Sequence, residues 1–282
     1  MDWLDALWLG IVQGLAEYLP ISSSGHLEIF REILGVDLSN GEALEFDVAL
    51  HVATVLSTIV VLWKEFAPLC RSFFSFRRDA NTTYVWKILL SCVPVAIVGF
   101  CFKEQVEQFF GNGLFTVGIC LIVTAALLTF AYFFRRNDDK TLPGGSIATR
   151  GHDIRWIDAF VIGCSQAVAV LPGLSRSGTT IATGLMLGDR RDKVAQFSFF
   201  MVIIPILGEA LLDVKNMLWP DADAVAASAD AAIGMLPLAV GFIASFLVGC
   251  AACKWMIEIV KKGKLVWFAV YCLIMGIVCL CW

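Results

Sequence analysis

Residues 13–26 read Gln-Gly-Leu-Ala-Glu-Tyr-Leu-Pro-Ile-Ser-Ser-Ser-Gly-His, and residues 171–180 read Leu-Pro-Gly-Leu-Ser-Arg-Ser-Gly-Thr-Thr. Each stretch interrupts an apolar segment with proline, glycine and hydroxyl residues, and a second short segment follows it. This pattern predicts two short helices joined by a break, once over residues 2–34 and again over residues 156–188. Irregular backbone at membrane depth is tolerated only where it is buried in protein or lines a wet cavity. We therefore expect two re-entrant hairpins.

The composition of the whole chain is that of a membrane protein. Of its 282 residues 59% are hydrophobic and 16% are charged, whereas soluble domains have about 45–50% and about 25%. Apolar runs near the roughly 20 residues that cross a bilayer core recur along the chain. The net charge of −4 argues against a nucleic-acid partner. Outside the two hairpins the runs predict six full spans, over residues 46–63, 83–102, 113–134, 194–213, 231–252 and 264–282.

The two interrupted segments are copies of one another. Shifted by 153 positions and without gaps, nine residues are identical within a 23-residue window. Shared hydrophobicity does not produce that many identities, so the chain is a duplication, with one repeat over about 1–135 and the other over about 154–282. The identical positions of the first copy are Trp3, Asp5, Ala6, Gly10, Gln13, Ala16, Ser22, Ser24 and Gly25.

The placement of basic residues predicts the topology. One hairpin and three spans per repeat place the two repeats in opposite orientations. With that arrangement, sixteen Lys and Arg residues fall on one side of the membrane and three on the other. Basic loops face the cytoplasm, so both termini are expected outside it, and the first segment lacks the basic start of a signal peptide. The predicted fold is an all-α integral membrane protein with an inverted-topology repeat.

The hairpin tips are predicted to bind an anion. Helix N-termini, glycine amides and hydroxyl groups all suit phosphate oxygens, and Arg176 adds a fixed charge with fork geometry. The copies differ at polar positions: Arg176 aligns with Ser23, His26 with Thr179 and Glu17 with Val170. One copy thus supplies a cation, and the other a carboxylate and an imidazole. The candidate binding residues are Ser22, Ser24, Gly25, Ser175, Ser177, Gly178, Thr179 and Thr180.

Simpler interpretations exist for each residue taken alone. The serines could cap helices, Arg176 could pair with Glu17 for structural reasons, and Gln13, on the same helix face as Glu17, could serve packing. Asp47 and His51 could support the site from behind its contact residues or be interfacial polar residues, and the second interpretation is favoured. His152 is interpreted as a solvated loop residue. Two homologous breaks that both carry hydroxyls favour the anion site.

The two motifs resemble those of the bacterial undecaprenyl-diphosphate phosphatases, also called bacitracin-resistance proteins, over essentially the whole chain. The resemblance implies hydrolysis of the polyprenyl diphosphate carrier lipid to its monophosphate, which recycles the lipid for cell-wall synthesis in the bacterial inner membrane. It also implies a divalent cation, Mg2+ or Ca2+, at Gln13 and Glu17. In many members Gln13 is glutamate, so a neutral amide here replaces one carboxylate ligand.

The resemblance implies Glu17, Ser23, His26 and Arg176 as catalytic residues. The order of events stays open: Ser23 could attack phosphorus with His26 as base, or His26 could attack or activate water. We expect the first, in a site that opens to the outer face. The expected partners are the lipid substrate and membrane lipids, and a homodimer is left open. The alternative is a flippase or transporter of lipid phosphates, which an inverted repeat suits equally.

Overall fold

The computed structural model describes residues 1–102, 113–141, 151–218 and 233–282. Within these ranges the chain forms eleven α-helices and no strand. The helices are α1 (Trp3–Ala16), α2 (Ser23–Leu34), α3 (Asn40–Val61), α4 (Trp63–Phe74), α5 (Ala80–Cys101), α6 (Gly113–Thr141), α7 (Trp156–Val168), α8 (Arg176–Met186), α9 (Arg191–Leu218), α10 (Met235–Lys261) and α11 (Val266–Cys281).

Five of these helices are long and apolar enough to cross a membrane: α3, α5, α6, α9 and α10. The sixth predicted span, residues 264–282, forms the apolar helix α11 of 16 residues, which is about 24 Å long. The prediction of an all-helical, multi-pass membrane protein is confirmed. Helix α4 was not predicted. It occupies residues that the sequence assigned to a basic loop, and Pro68 lies inside it.

A break separates two short helices at both places where the sequence predicts one. Helix α1 starts from a capping box between Asp2 and Asp5, and its successor α2 starts after Ser22, whose Oγ accepts a hydrogen bond from the Gly25 amide. Helix α8 starts in the same way, since Ser175 Oγ accepts from the Gly178 amide. The equivalent serines of the two copies therefore cap equivalent helices, which is what serine favours at a helix start.

The two breaks lie against each other. Ser177 Oγ, from the second break, donates a hydrogen bond of 3.0 Å to the carbonyl oxygen of Leu19 in the first. Gly178 lies so near Pro20 that an added Cβ would be 3.1 Å from the proline Cβ. Residues more than 150 positions apart thus form one buried contact. Helices α2 and α8, which begin at Ser23 and Arg176, both follow this contact in the chain.

Small residues allow the short helices to pack closely on spans. Helix α1 packs on α10, and helix α7 packs on α5. Gly10 of α1 lies against the backbone of Gly241, and Gly163 of α7 lies against the backbone of Ser91. Gly10 and Gly163 occupy aligned positions of the two interrupted segments. In both places a glycine lets the backbone of the short helix contact the backbone of a spanning helix. Backbone-to-backbone approach of this kind is typical of helix pairs in membranes.

We predict that Gly163→Ala destabilises the protein. The added Cβ would lie 2.7 Å from Ser91 Cα, and the two backbones would have to separate at a cost of about 1–3 kcal/mol. Gly99→Ala in α5 is the matched control, because nothing lies within 4 Å of its Cβ position. Thermal unfolding in detergent should show a lower Tm for Gly163→Ala and an unchanged or higher Tm for Gly99→Ala. Equal Tm values for the two variants would contradict the close backbone contact between α7 and α5.

Candidate active site

The carboxylate of Glu17, directly after α1, is the centre of the polar groups at the junction of the breaks. Its Oε2 accepts hydrogen bonds from Ser23 Oγ at 2.7 Å and from Gln13 Nε2 at 3.1 Å. His51 Nε2 lies 3.7 Å from the same oxygen, and Arg176 Nη2 lies 3.6 Å from Oε1. The Glu17 side chain is only 7% exposed, so this negative charge depends on its polar neighbours.

Arg176 is brought to Glu17 by the second break. It is the first residue of α8, where the Ser175 cap and a hydrogen bond from the Ser175 amide to Thr124 Oγ1 fix the backbone. Its side chain stays 26% exposed, so part of the guanidinium is available to a ligand. The ion pair that the sequence left as a structural alternative is therefore present, and part of the Arg176 side chain remains exposed.

Ser23 lies at the start of α2, next to a strained residue. Ser22 has a φ of +72°, a conformation that is uncommon for any residue with a side chain. Ser23 follows directly and is partly exposed, and its hydroxyl hydrogen points to Glu17. Since Glu17 is the acceptor in a 2.7 Å hydrogen bond, it is placed to take the hydroxyl proton.

His26 contacts groups other than Ser23, so the arrangement favours Glu17 over His26 as the base for Ser23. Its Nδ1 donates to the carbonyl oxygen of Ser22 at 2.8 Å, and its Nε2 lies 2.7 Å from the hydroxyl of Tyr271 on α11. The two rings are stacked with centroids 5.6 Å apart. A carbonyl can only accept, so Nδ1 carries the proton and Tyr271 donates to Nε2. Both ring nitrogens are occupied, so the imidazole links α2 to α11.

We predict that Tyr271→Phe lowers stability more than turnover. The change leaves Nε2 of the buried His26 without its donor, which costs about 1–3 kcal/mol, but it does not touch Glu17, Ser23 or Arg176. Tm should fall while kcat stays within about threefold of the parent, a factor worth less than 1 kcal/mol. A loss of turnover with an unchanged Tm would instead give His26 a direct part in the chemistry. Both values come from the same detergent-purified sample.

A narrow polar cavity extends inward from Glu17 and Arg176. Hydroxyl groups of Thr54, Thr58, Thr180 and Ser198 line it, together with Gln166. Gln166 is the repeat equivalent of Gln13, and both side chains are buried. Gln13 Oε1 and Gln166 Nε2 have no hydrogen-bond partner among the described residues. Unsatisfied buried amides are costly. Gln166 lines the cavity, so its Nε2 is available to a ligand there.

Gln13 Oε1, which has no hydrogen-bond partner among the described residues, is a candidate ligand for the expected divalent cation. Hard cations such as Mg2+ and Ca2+ take oxygen ligands, and Gln13 Oε1 lies on the residue whose Nε2 already contacts Glu17. The donor set fits such an ion, although the nearby Arg176 guanidinium limits how many carboxylate oxygens remain for it. Gln13 and Glu17 are thus suited to hold a cation in company with a ligand that brings further negative charge.

The remaining hydroxyls predicted to bind substrate mostly have internal partners. Ser24 Oγ lies 3.4 Å from Ser22 Oγ, and Thr180 Oγ1 lies 2.5 Å from Ser198 Oγ. Thr179 Oγ1 is buried and without a hydrogen-bond partner in the part of the chain that the structure describes. Gly25 is packed against Val117 and Gly173, where a Cβ would be 2.9 Å and 3.1 Å from their atoms. Gly25 therefore allows close packing of the breaks.

Sequence reasoning missed two residues at this site. His51 was interpreted as interfacial, yet its Nδ1 bonds the Asp47 carbonyl oxygen and its Nε2 points towards Glu17. Gln166 was noted only as a repeat identity. The available signal was the i, i+4 spacing of Asp47 and His51 on a span, and the recurrence of a glutamine in both copies.

The fold and the site together define a class: a multi-pass helical membrane protein in which a mostly buried carboxylate, Glu17, contacts Ser23 and Arg176 where two broken helix pairs meet. The model of one family, described as bacitracin resistance protein BacA, matches residues 6–278. The chain belongs to that family.

Named relatives cover nearly the whole chain. An undecaprenyl-diphosphatase of Parabacteroides distasonis is 54% identical over 278 residues, which are 99% of this chain and 97% of the relative. One of Bacteroides fragilis is 52% identical over the same shares of both chains. One of Carboxydothermus hydrogenoformans is 36% identical over 98% of this chain and 96% of the relative.

Proposed function

We propose that this chain is an undecaprenyl-diphosphatase, a membrane enzyme that hydrolyses the lipid diphosphate to the lipid monophosphate and inorganic phosphate. The similarity to named relatives over the full length supports the reaction. One observation supports the location of the site: at the junction of the breaks Glu17 contacts both Ser23 and Arg176, which come from distant parts of the sequence.

The site suggests a two-step displacement. Arg176 turns its open face to the terminal phosphate and stabilises the charge that develops on its oxygens. Ser23 Oγ attacks the terminal phosphorus while Glu17 takes its proton, and the bond between that phosphorus and the bridging oxygen breaks. The lipid monophosphate leaves with the bridging oxygen and takes up the proton from Glu17. Water then attacks the phosphorus of the phosphoserine while the ionised Glu17 takes a proton from it. Glu17 returns this proton to Ser23 Oγ as the bond between Oγ and phosphorus breaks and inorganic phosphate leaves.

The other polar groups prepare these steps. Gln13 and His51 hold the Glu17 carboxylate in place, and Gln166 Nε2 can donate to a phosphate oxygen that enters the cavity. Gln13 and Glu17 would hold the divalent cation, which when bound supplies positive charge against the diphosphate. His26 keeps the start of α2, and with it Ser23, in position through Ser22 and Tyr271.

An inverted repeat is part of the proposal. It is supported by the equivalent caps at Ser22 and Ser175, and by the equivalent close packing at Gly10 and Gly163. The imbalance of sixteen basic residues against three supports placing both termini outside the cytoplasm. We place the protein in the bacterial inner membrane, with the site opening to the outer face, where the first hairpin carries Glu17 and Ser23.

Release of inorganic phosphate from undecaprenyl diphosphate by the purified protein in detergent tests the function. We expect one phosphate per lipid and undecaprenyl monophosphate as the other product, with activity that falls when the divalent cation is chelated. Detergent micelles have no two sides, so a flippase of lipid phosphates would show no signal. Absence of phosphate release from a folded sample would contradict the proposal and favour that alternative.

The attacking group has its own test. Rapid acid quench with a diphosphate labelled at the terminal phosphate should trap a phosphoserine at position 23. Ser23→Ala should abolish both the label and the turnover. Label on His26 would contradict the assignment of Ser23 as the attacking group.

A further inference from the structure

A second polar cluster lies at the opposite end of the second hairpin from Arg176. Asp158 is in the first turn of α7, Asp189 follows α8, and His152 precedes α7. One ligand atom of each lies within 4.8 Å of those of the other two. None of these residues takes part in the proposed phosphatase chemistry. Both aspartate side chains are fully buried, and the histidine side chain is 38% exposed.

The Asp189 carboxylate is not compensated by hydrogen bonds. Neither of its oxygens accepts one from the described residues. Asp158, in contrast, accepts from the Arg155 amide at 2.8 Å, from Nε at 2.9 Å and from Nη2 at 3.0 Å. A buried carboxylate without donors is costly. His152, 3.1 Å away, and the charge of Arg155 compensate Asp189 in part, and a cation bound between His152 and Asp158 would add to this compensation.

The histidine directs its Nδ1 towards the two carboxylates. His152 Nε2 lies 3.1 Å from the carbonyl oxygen of Leu187, and because a carbonyl only accepts, Nε2 carries a proton. Nδ1 also lies against a carbonyl oxygen, that of Asp153, so a divalent ion bound here would take the place of a proton at Nδ1. Three oxygens surround it: Asp189 Oδ1 at 3.1 Å, Asp153 carbonyl oxygen at 3.2 Å and Asp158 Oδ2 at 3.6 Å. Metal-binding histidines are held in this way, with the second nitrogen donating to a carbonyl.

The two separations that involve His152 match those expected for a small divalent ion, and the three ligand atoms all lie within 4.8 Å of one another. Bonds of about 2.0–2.1 Å in a tetrahedron separate the ligand atoms by about 3.3–3.4 Å. The separations of 3.1 Å and 3.6 Å from His152 Nδ1 to the two carboxylates lie on either side of that value. An imidazole nitrogen with two carboxylates selects a first-row transition ion over Mg2+ or Ca2+. We propose that His152, Asp158 and Asp189 form a binding site for a divalent transition-metal ion of the Zn2+ type.

The ion would join the two ends of the second hairpin. The backbone already pairs there, since the His152 amide donates to the Gly188 carbonyl oxygen and the Arg190 amide donates to the His152 carbonyl oxygen. Asp158 belongs to the first arm of the hairpin and Asp189 follows the second, while Arg176 lies at the tip between them. Holding the arms together at this end restrains α8 and thereby the position of Arg176.

The test is Zn2+ binding to the metal-stripped full-length protein in detergent, followed by calorimetry, bound-metal analysis and Tm. Burial and the Asp158 carboxylate raise the pKa of Asp189 to about 7, so the titration is run at about pH 8, where a proton competes less. We expect one Zn2+ per chain and a higher Tm with Zn2+ present. His152→Ala and Asp189→Asn should each weaken binding by about tenfold or more and lose the Tm response.

Two control variants locate the site. Asp153→Asn changes a neighbouring carboxylate whose side chain is 75% exposed, and it should bind Zn2+ like the parent. Glu17→Gln removes a ligand of the other proposed cation site and should also keep the Zn2+ response. Asp189→Asn keeps the shape of the side chain, and its Tm without added metal, compared with that of the parent, shows whether the variant is folded. Unchanged Zn2+ binding in Asp189→Asn, or no binding by the parent, would overturn the proposal and assign the positive charge to a protonated His152.

Discussion

Glu17→Gln is expected to lower kcat by about 10²- to 10⁴-fold, the contribution typical of a positioned general base. Glutamine has the shape of glutamate and still accepts hydrogen bonds from Ser23 and Gln13, but it cannot take the Ser23 proton. It also removes the charge that faces Arg176 at 3.6 Å. Steady-state phosphate release from undecaprenyl diphosphate, with kcat and KM determined separately, measures the effect.

The matched control for this change is Glu32→Gln. Glu32 is exposed on α2, the helix that starts at Ser23, and its substitution removes the same charge away from the site. Its kcat should equal that of the parent. If Glu17→Gln retained a kcat within about threefold of the parent, which is under 1 kcal/mol, Glu17 would not be the base.

Arg176→Lys is expected to lower kcat/KM by about 10²-fold or more, since a removed transition-state donor costs that much in other enzymes. Lysine keeps the positive charge but lacks the planar fork that binds two phosphate oxygens together. The change therefore separates charge from geometry. Phosphate release over a range of substrate concentrations, with Tm measured in parallel, shows whether the loss lies in catalysis or in folding.

Arg77→Lys provides the control, because Arg77 is exposed near the end of α4 and is remote from the hairpin tips in sequence. It should leave kcat/KM unchanged. A near-normal rate in Arg176→Lys would mean that charge alone is needed at this position, and the bidentate contact with phosphate would have to be abandoned.

The helices and their breaks were largely predictable because their signals are local. Apolar length and the Pro-Gly-Ser interruptions locate α1, α2, α7 and α8 to within a few residues. Helix α4 was missed, since its apolar residues alternate with charged ones over only 12 positions and no run reaches the length of a span. The repeat identities also indicated that Gly10 and Gly163 are equivalent, but not that their partners would be Gly241 and Ser91.

The sequence predicted which residues form the site, but not the directions in which all of their side chains point. The proximity of Glu17 and Arg176 could be predicted because each lies at the break of one of two aligned segments. The direction of His26 could not, because it depends on Tyr271, which is 245 positions away. The same holds for His51: spacing places it on one face of α3, but only the packing of that helix against α1 turns the ring to Glu17.

His152 shows a further limit. A histidine in a basic loop was interpreted as solvated, and its side chain is indeed partly exposed. Asp158 and Asp189, however, are 31 positions apart in the sequence. They both face the ring because the end of α8 lies beside the residues that precede α7. The backbone hydrogen bond between Arg190 and His152 holds these segments together, and no sequence pattern predicts it.

The central claim is that Glu17 and Arg176, from the two copies of the motif, act on one diphosphate. A double-mutant cycle tests it: kcat/KM for the parent, Glu17→Gln, Arg176→Lys and the double variant. Residues that act as one unit have strongly non-additive effects, so we predict a double variant within about tenfold of the slower single variant. If the two losses multiplied in full, the residues would act independently and the shared site would be contradicted.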